Sequence, residues 1–142
     1  MPVDKLFGST IDLIAKNLDL RAKNHSHIAG NIANAETPNY RPKSLSFEGQ
    51  LKDAMKNRDA GPAGTVPAHP RHIPIKGVAR NVEDVEGILD ESSSSGLGRD
   101  GNGVDLEREM ARMAENQIQY NASIQILTKK FEGLKYAIKG GN

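Results

Sequence analysis

The 142-residue chain has no cysteine and no tryptophan, and only 4% of its residues are aromatic. Without cysteine there is neither a disulfide framework nor a thiolate metal site. With so few large side chains, the sequence is not organised around one dense globular core. A dominant sign of charge is missing as well. The formal net charge is +1, so no overall field draws nucleic acid or an anionic membrane, and direct lipid binding is not expected. Long apolar runs are also absent. Asp4, Asp12 and Asp19 interrupt the first twenty positions, which leaves neither a secretory signal core nor a membrane span. If the protein works outside the cytoplasm, the expectation is a route of exit that cuts no signal peptide.

What the chain does have is Leu, Ile, Ala and Met at helical spacing. Ile11, Ala15, Leu18, Ala22, His25, Ala29 and Ile32 alternate steps of four and three, with Leu6, Leu13 and Leu20 as a second line beside them. That pattern predicts one helix from about Val3 to Asn34 touching more than one neighbour. Its alanine-rich stripe buries little area, so such a helix depends on partners. A stronger pattern follows at the other end. Leu106, Met110, Met113, Gln117, Tyr120, Ile124, Leu127, Phe131, Leu134 and Ile138 step by four and three without a break, the mark of a coiled-coil seam. Asp105, Glu107 and Glu109 at its start and Lys129, Lys130, Lys135 and Lys139 at its end complement the helix dipole. Gly140-Gly141 supplies the stop. The expected length is about 50 Å.

Between the helices the composition shifts. Ser46 to Asn57 is predicted as a short helix with Ser46 as N-cap and Phe47, Leu51 and Met55 on one face. From Asp59 to Gly103 the chain turns to Gly, Pro and Ser and has few core-building residues, so it is expected to be mobile in isolation. Short extended pieces around Ile73-Pro74-Ile75 and Val78 to Val85 are the most it should form. The fold class is therefore mainly α. Residues 1–41 form an N-terminal coiled-coil helix and turn, 42–103 a short helix plus a largely unstructured middle, and 104–142 a C-terminal heptad helix.

Constellations that would carry chemistry are weak. His25 and His27 are two apart on a helix and face different ways, and His69 and His72 flank Pro70 without acidic or thiol partners, so no metal or other cofactor is expected. Ser92 to Ser95 lacks a nucleophile-elbow context. Gly96, Gly98 and Gly101 spell a glycine pattern with no strand before it. The carboxylates from Glu83 to Glu91 read as a solvated surface. No acid–base pair, nucleophile or phosphate cradle emerges, and no catalytic residue is assigned.

The most informative stretch is Asn31-Ile32-Ala33-Asn34-Ala35-Glu36-Thr37-Pro38-Asn39-Tyr40. Pro38 disfavours helical geometry at Thr37, so the first helix ends there or earlier. Thr37 to Tyr40 then suits a type II turn with Asn39 at positive φ, and Asn31 and Asn34 can bond the last free helix carbonyls. A generic helix stop would look the same. The wording Asn-Ile-Ala-Asn-x-x-Thr-Pro-x-Tyr, however, resembles the signature of the flagellar rod and hook axial proteins. In that family the residue after Pro is usually Gly; Asn39 departs from the pattern and keeps its backbone requirement. Tyr40 through Met55, His72-Ile73-Pro74, the run from Asp100 to Glu109 and the Gly-Asn terminus are similar to the proximal rod members of the family.

The resemblance implies a self-assembling rod subunit located in the periplasmic part of the flagellar basal body and needed for motility. It implies passage through the flagellar type III export apparatus and, as partners, other rod proteins, the rod–ring adaptor, the membrane ring and further copies of the chain. The two apolar stripes would be the assembly seam. The competing reading is a cytoplasmic helical hairpin acting as an adaptor or export chaperone, which shares the heptads but has no need of the Thr-Pro turn.

Overall fold

A computed structural model of the chain describes residues 9–59, 81–91 and 101–140. Leu6, His69, His72, Ile73 to Ile75, Val78, Ser92 to Ser95, Gly96, Gly98 and Gly141 lie outside the described residues. The protein is mainly helical. Helix α1 (Ser9–Ala33) leads into strand β1 (Lys43–Ser46) and helix α2 (Glu48–Asp59). A single 3-10 turn (Val82–Asp84) precedes strand β2 (Ile88–Glu91), and helix α3 (Leu106–Ile138) ends the fold. At 1.5 Å per residue the 33 residues of α3 span about 50 Å. No described helix is long and apolar enough to cross a membrane.

The ends of α3 follow from named residues. Asp105 is its N-cap, and its carboxylate accepts from the Arg108 amide at 3.1 Å. Gly140 closes it with φ 76°, donating to the Ala137 carbonyl at 3.4 Å. α3 runs antiparallel to α1, and the two form the longest contact in the fold.

The buried apolar cluster is small and lies beside the α1–α3 contact, between α1, β1 and α2. It consists of Leu20, Leu45, Phe47, Ala54, Val82 and Val85, with Leu13 and Leu51 packed against it. Leu13 and Leu20 come from the second apolar line of α1, so that line, and not the Ile11–Ile32 stripe, faces the core. Phe47, Leu20 and Val85 are essentially inaccessible. Each contributes roughly 1.5–3 kcal/mol by leaving water. The Arg21 guanidinium stacks over the Phe47 ring at 5.2 Å. Among the described residues this cluster contains nothing from α3.

The middle of the chain therefore builds more than its composition promises. β1 and β2 pair antiparallel, with Leu45 opposite Leu89 and Lys43 opposite Glu91. Ser46 belongs to this strand, so α2 begins two residues later than expected, with the Phe47 carbonyl accepting from Leu51 at 2.9 Å. Its inward face carries Leu51 and Ala54, while Met55 is exposed. Val82 and Val85 form a turn that completes the core instead of an extended piece. Gly87 is required where it stands. It has φ 80°, and a Cβ there would lie 2.8 Å from Leu45 Cδ1. The acidic run is exposed throughout, as expected of a solvated surface, and Glu91 within it pairs with Lys43 at 3.4 Å. That exposed ion pair is worth at most about 1 kcal/mol.

Candidate functional site: the joint between the two long helices

Asn31 sits near the end of α1 and is fully buried. Its amide does not bond the last helix carbonyls. Nδ2 donates to the Lys43 carbonyl at 2.8 Å and to Glu109 Oε2 at 2.9 Å. Oδ1 accepts from the Lys43 amide at 2.9 Å and from the Tyr40 hydroxyl at 3.4 Å. All four hydrogen-bonding positions of the side chain are used. The amide lies on the Lys43 backbone much as a neighbouring strand would, which ties α1, β1 and α3 at one point. Glu109 is buried too, and its second oxygen takes Arg112 Nη1 at 2.7 Å. Glu109 is thus an interface residue as well as an acidic residue in the first turn of α3.

Asn31 is the last rung of a ladder. Asn24 Nδ2 donates to Asn116 Oδ1 at 3.4 Å, and Asn116 Nδ2 donates to the Arg21 carbonyl at 3.0 Å. Asn17 Nδ2 donates to Ser123 Oγ at 2.9 Å. Asn17, Asn24 and Asn31 climb α1 at seven-residue steps, while Ser123, Asn116 and Glu109 descend α3 at the same steps. Polar residues at one heptad position fix register and partner at some expense of stability.

The ladder rearranges the α3 seam. Met113, Tyr120, Leu127 and Leu134 are half-buried and share the face that carries the ladder. Leu106, Met110, Gln117, Ile124, Phe131 and Ile138 are exposed, Met110 at 59% and Ile124 at 40%. The ten heptad positions are thus two lines with different surroundings. On α1, Ile11, Leu18, His25 and Ile32 are half-buried, while Ala15, Ala22, Ala29 and Ala33 are exposed. Counted at 3.6 residues per turn, the Ile11–Leu18–Ile32 stripe and the Leu106–Met110–Ile124 line flank the same side of the antiparallel pair. β1 and the core lie on the opposite side.

At the end of α1 the helix stop is assembled from two distant segments. Asn34 Nδ2 donates back to the Gly30 carbonyl at 2.8 Å. Thr37 Oγ1 donates to Asn34 Oδ1 at 3.2 Å. Pro38 and Asn39 form the exposed tip, and the Tyr40 amide donates to the Thr37 carbonyl at 3.3 Å across the turn. Asn39 has φ 59°, the one non-glycine residue at positive φ among the described residues. Asn102 adds a further donor to the carbonyls at this end. Its Nδ2 lies 3.0, 2.7 and 2.8 Å from the carbonyl oxygens of Asn34, Ala35 and Thr37, and its Oδ1 accepts from the Val104 amide at 2.7 Å. Gly103 donates to the Tyr40 carbonyl at 3.1 Å. The Asn31–Tyr40 motif and the Gly101–Val104 approach to α3 are one joint.

Glu109, Asn116, Ser123 and Asn102 were not reached by reasoning on apolar periodicity. The signal that finds the first three is a polar heptad on each helix. Asn102 has no such signal, because its partners are backbone atoms about 65 residues away. Between α1, β1 and α3 a polar cavity of about 130 Å³ is lined by residues including Arg21, Lys43, Glu109 and Asn116. Among the described residues no group of three or more His, Asp or Glu could hold a metal ion.

The turn gives a direct prediction. Asn39→Gly should change stability little, since Gly takes positive φ without steric cost. Asn39→Val should cost about 1–2 kcal/mol or more, because a β-branched residue is disfavoured there. Urea unfolding of the two variants checks it; equal values would remove backbone conformation as the reason for Asn39.

No family model matches the chain. Curated relatives do. The chain is 32% identical over 127 residues to the flagellar basal body rod protein FlgB of Escherichia coli, covering 88% of this chain and 89% of the relative. It is 31% identical over 136 residues to FlgB of Bacillus subtilis, covering 96% and 98%, and 26% identical over 134 residues to FlgB of Borreliella burgdorferi, covering 94% and 98%. Similarity of this extent spans both long helices and the joint that locks them, and it holds across distant bacteria. The chain belongs to the FlgB family of flagellar basal body rod proteins.

Proposed function

We propose that the chain acts as a structural subunit of the basal-body rod by packing, through the open flank of its helical hairpin, against other copies and other rod proteins. The observation that carries this is the apolar flank itself. Leu106, Met110 and Ile124 of α3 and Ile11, Leu18 and Ile32 of α1 share the side that neither the core nor the ladder uses. A face of this kind on a helix pair seeks a partner helix. Helices α1 and α3 supply the assembly contacts, and β1, α2 and the Val82–Val85 turn cover the opposite side. The role is mechanical, with no reaction to catalyse. The subunit reaches the periplasm through the flagellar type III export apparatus without signal cleavage and meets the rod–ring adaptor and membrane ring there. A cytoplasmic adaptor would close its flank with one partner, whereas a rod subunit associates without a fixed limit.

The test is Met110→Asp combined with Ile124→Asp. Both side chains are exposed, so the urea midpoint of the purified chain should move little, within about 0.5 kcal/mol per site. Rods and swimming should be lost while the protein is still made, because a charge would have to be buried in each contact. Normal swimming by this variant would rule out the flank as the assembly surface.

A further inference from the structure

The chain contains one Asn-Gly dipeptide, Asn102-Gly103. This pair is the most readily deamidated in proteins, because glycine leaves the following backbone nitrogen unhindered. Gly103 N attacks Asn102 Cγ, an N–Cγ bond forms, and the Cγ–Nδ2 bond breaks. Nδ2 departs as ammonia with the proton from Gly103. Water then opens the cyclic imide to aspartate or isoaspartate. One water enters and one ammonia leaves, and nothing is oxidised or reduced.

In the structure every reacting atom is engaged. The nucleophile, Gly103 N, holds its proton toward the Tyr40 carbonyl at 3.1 Å. The leaving nitrogen lies within 3.0 Å of three carbonyl oxygens, and Oδ1 holds the Val104 amide at 2.7 Å. Asn102 as a whole is 6% exposed. Both members of the labile pair are tied into the joint. Asn102 supplies donors to the end of α1, and a Cβ on Gly103 would lie 3.1 Å from Pro42 Cδ.

We propose that Asn102-Gly103 is a modification site that the closed joint protects and the open joint exposes, with deamidation making the opening permanent. Aspartate at 102 presents oxygens to three carbonyl oxygens and has no proton to share. Isoaspartate adds a methylene to the backbone and moves Gly103 N away from Tyr40. A chain that loses the amide while open does not close again, so the pool of closable chains falls with time spent open.

The experiment holds the full chain at 37 °C and mildly alkaline pH, native and in urea, and follows residue 102 by peptide mass mapping. The expected rate in the native chain is at least about tenfold lower than in urea, set by how seldom the joint opens. In urea, Gly103→Ala should slow the loss, as the imide route requires. Equal rates in native and unfolded chains overturn the protection. Asn102→Asp tests the second half by hydrogen exchange. It should remove protection from the Thr37, Tyr40 and Gly103 amides, with the middle of α3 as internal reference. If those amides stay protected, the modification does not hold the joint open.

Discussion

Asn31→Ala should destabilise the chain by about 3–5 kcal/mol, close to the whole stability of a marginal domain. The substitution removes two donors and two acceptors at a point with no access to water. It leaves the Lys43 amide and carbonyl without their partner and the buried Glu109 carboxylate with Arg112 alone. Each buried polar group left unmet costs about 1–3 kcal/mol. Asn31→Asp should be worse than alanine, since it sets a second carboxylate against Glu109 Oε2 where the native amide donates at 2.9 Å. Urea unfolding followed by circular dichroism gives the midpoints. A loss under about 1 kcal/mol for alanine would mean that water replaces the amide and that Asn31 is no keystone.

Phe47→Ala should cost a similar amount, about 3–5 kcal/mol, for a different reason. The ring is 1% exposed in a cluster of six buried apolar residues among those described, so its neighbours have little with which to refill the space. Arg21 loses the ring beneath it and keeps Glu48 at 3.6 Å and Asn116 Oδ1 at 3.5 Å. Phe47→Leu should recover most of the loss. The two substitutions also separate the halves of the fold. The Phe47 change should first weaken the packing of β1 and α2 on α1, and the Asn31 change the docking of α3. Hydrogen exchange resolved by element distinguishes them, and identical patterns would mean that the core and the ladder unfold as one unit.

How much of this was legible in the sequence depends on whether a feature is local. The two long helices and both ends of α3 were, because periodicity, dipole-matching charges, Asp105 and Gly140 all act within a few residues. The left-handed residue after Pro38 was too, from the chemistry of the turn alone. The strands were not. Lys43–Ser46 and Ile88–Glu91 are four residues each, without clean alternation, and exist because they pair across more than forty residues. Val82 and Val85 look stranded in a polar segment until α1 and α2 offer them a cluster. The α3 seam was half legible. Heptad counting found the apolar residues but took them as one continuous assembly seam. Glu109, Asn116 and Ser123 take much of the face toward α1, and part of the apolar set turns outward. Polar heptads are invisible to a search that counts only hydrophobic ones.

The ladder also decides how the hairpin answers a pull along its axis. Two helices joined only by interchangeable leucines can rest equally well after sliding by one heptad, about 10 Å. Here such a shear would draw Glu109 from Asn31 and, in the same movement, Asn102 from the three carbonyls at the end of α1. Hydrogen bonds lose their strength within a fraction of an ångström, where greasy contacts fade gradually. The pair should therefore be stiff in shear and yield abruptly, behaving as a strut with a single detent. In a rod that is the useful property, because a strut that never creeps keeps each subunit at the length its neighbours were assembled to meet.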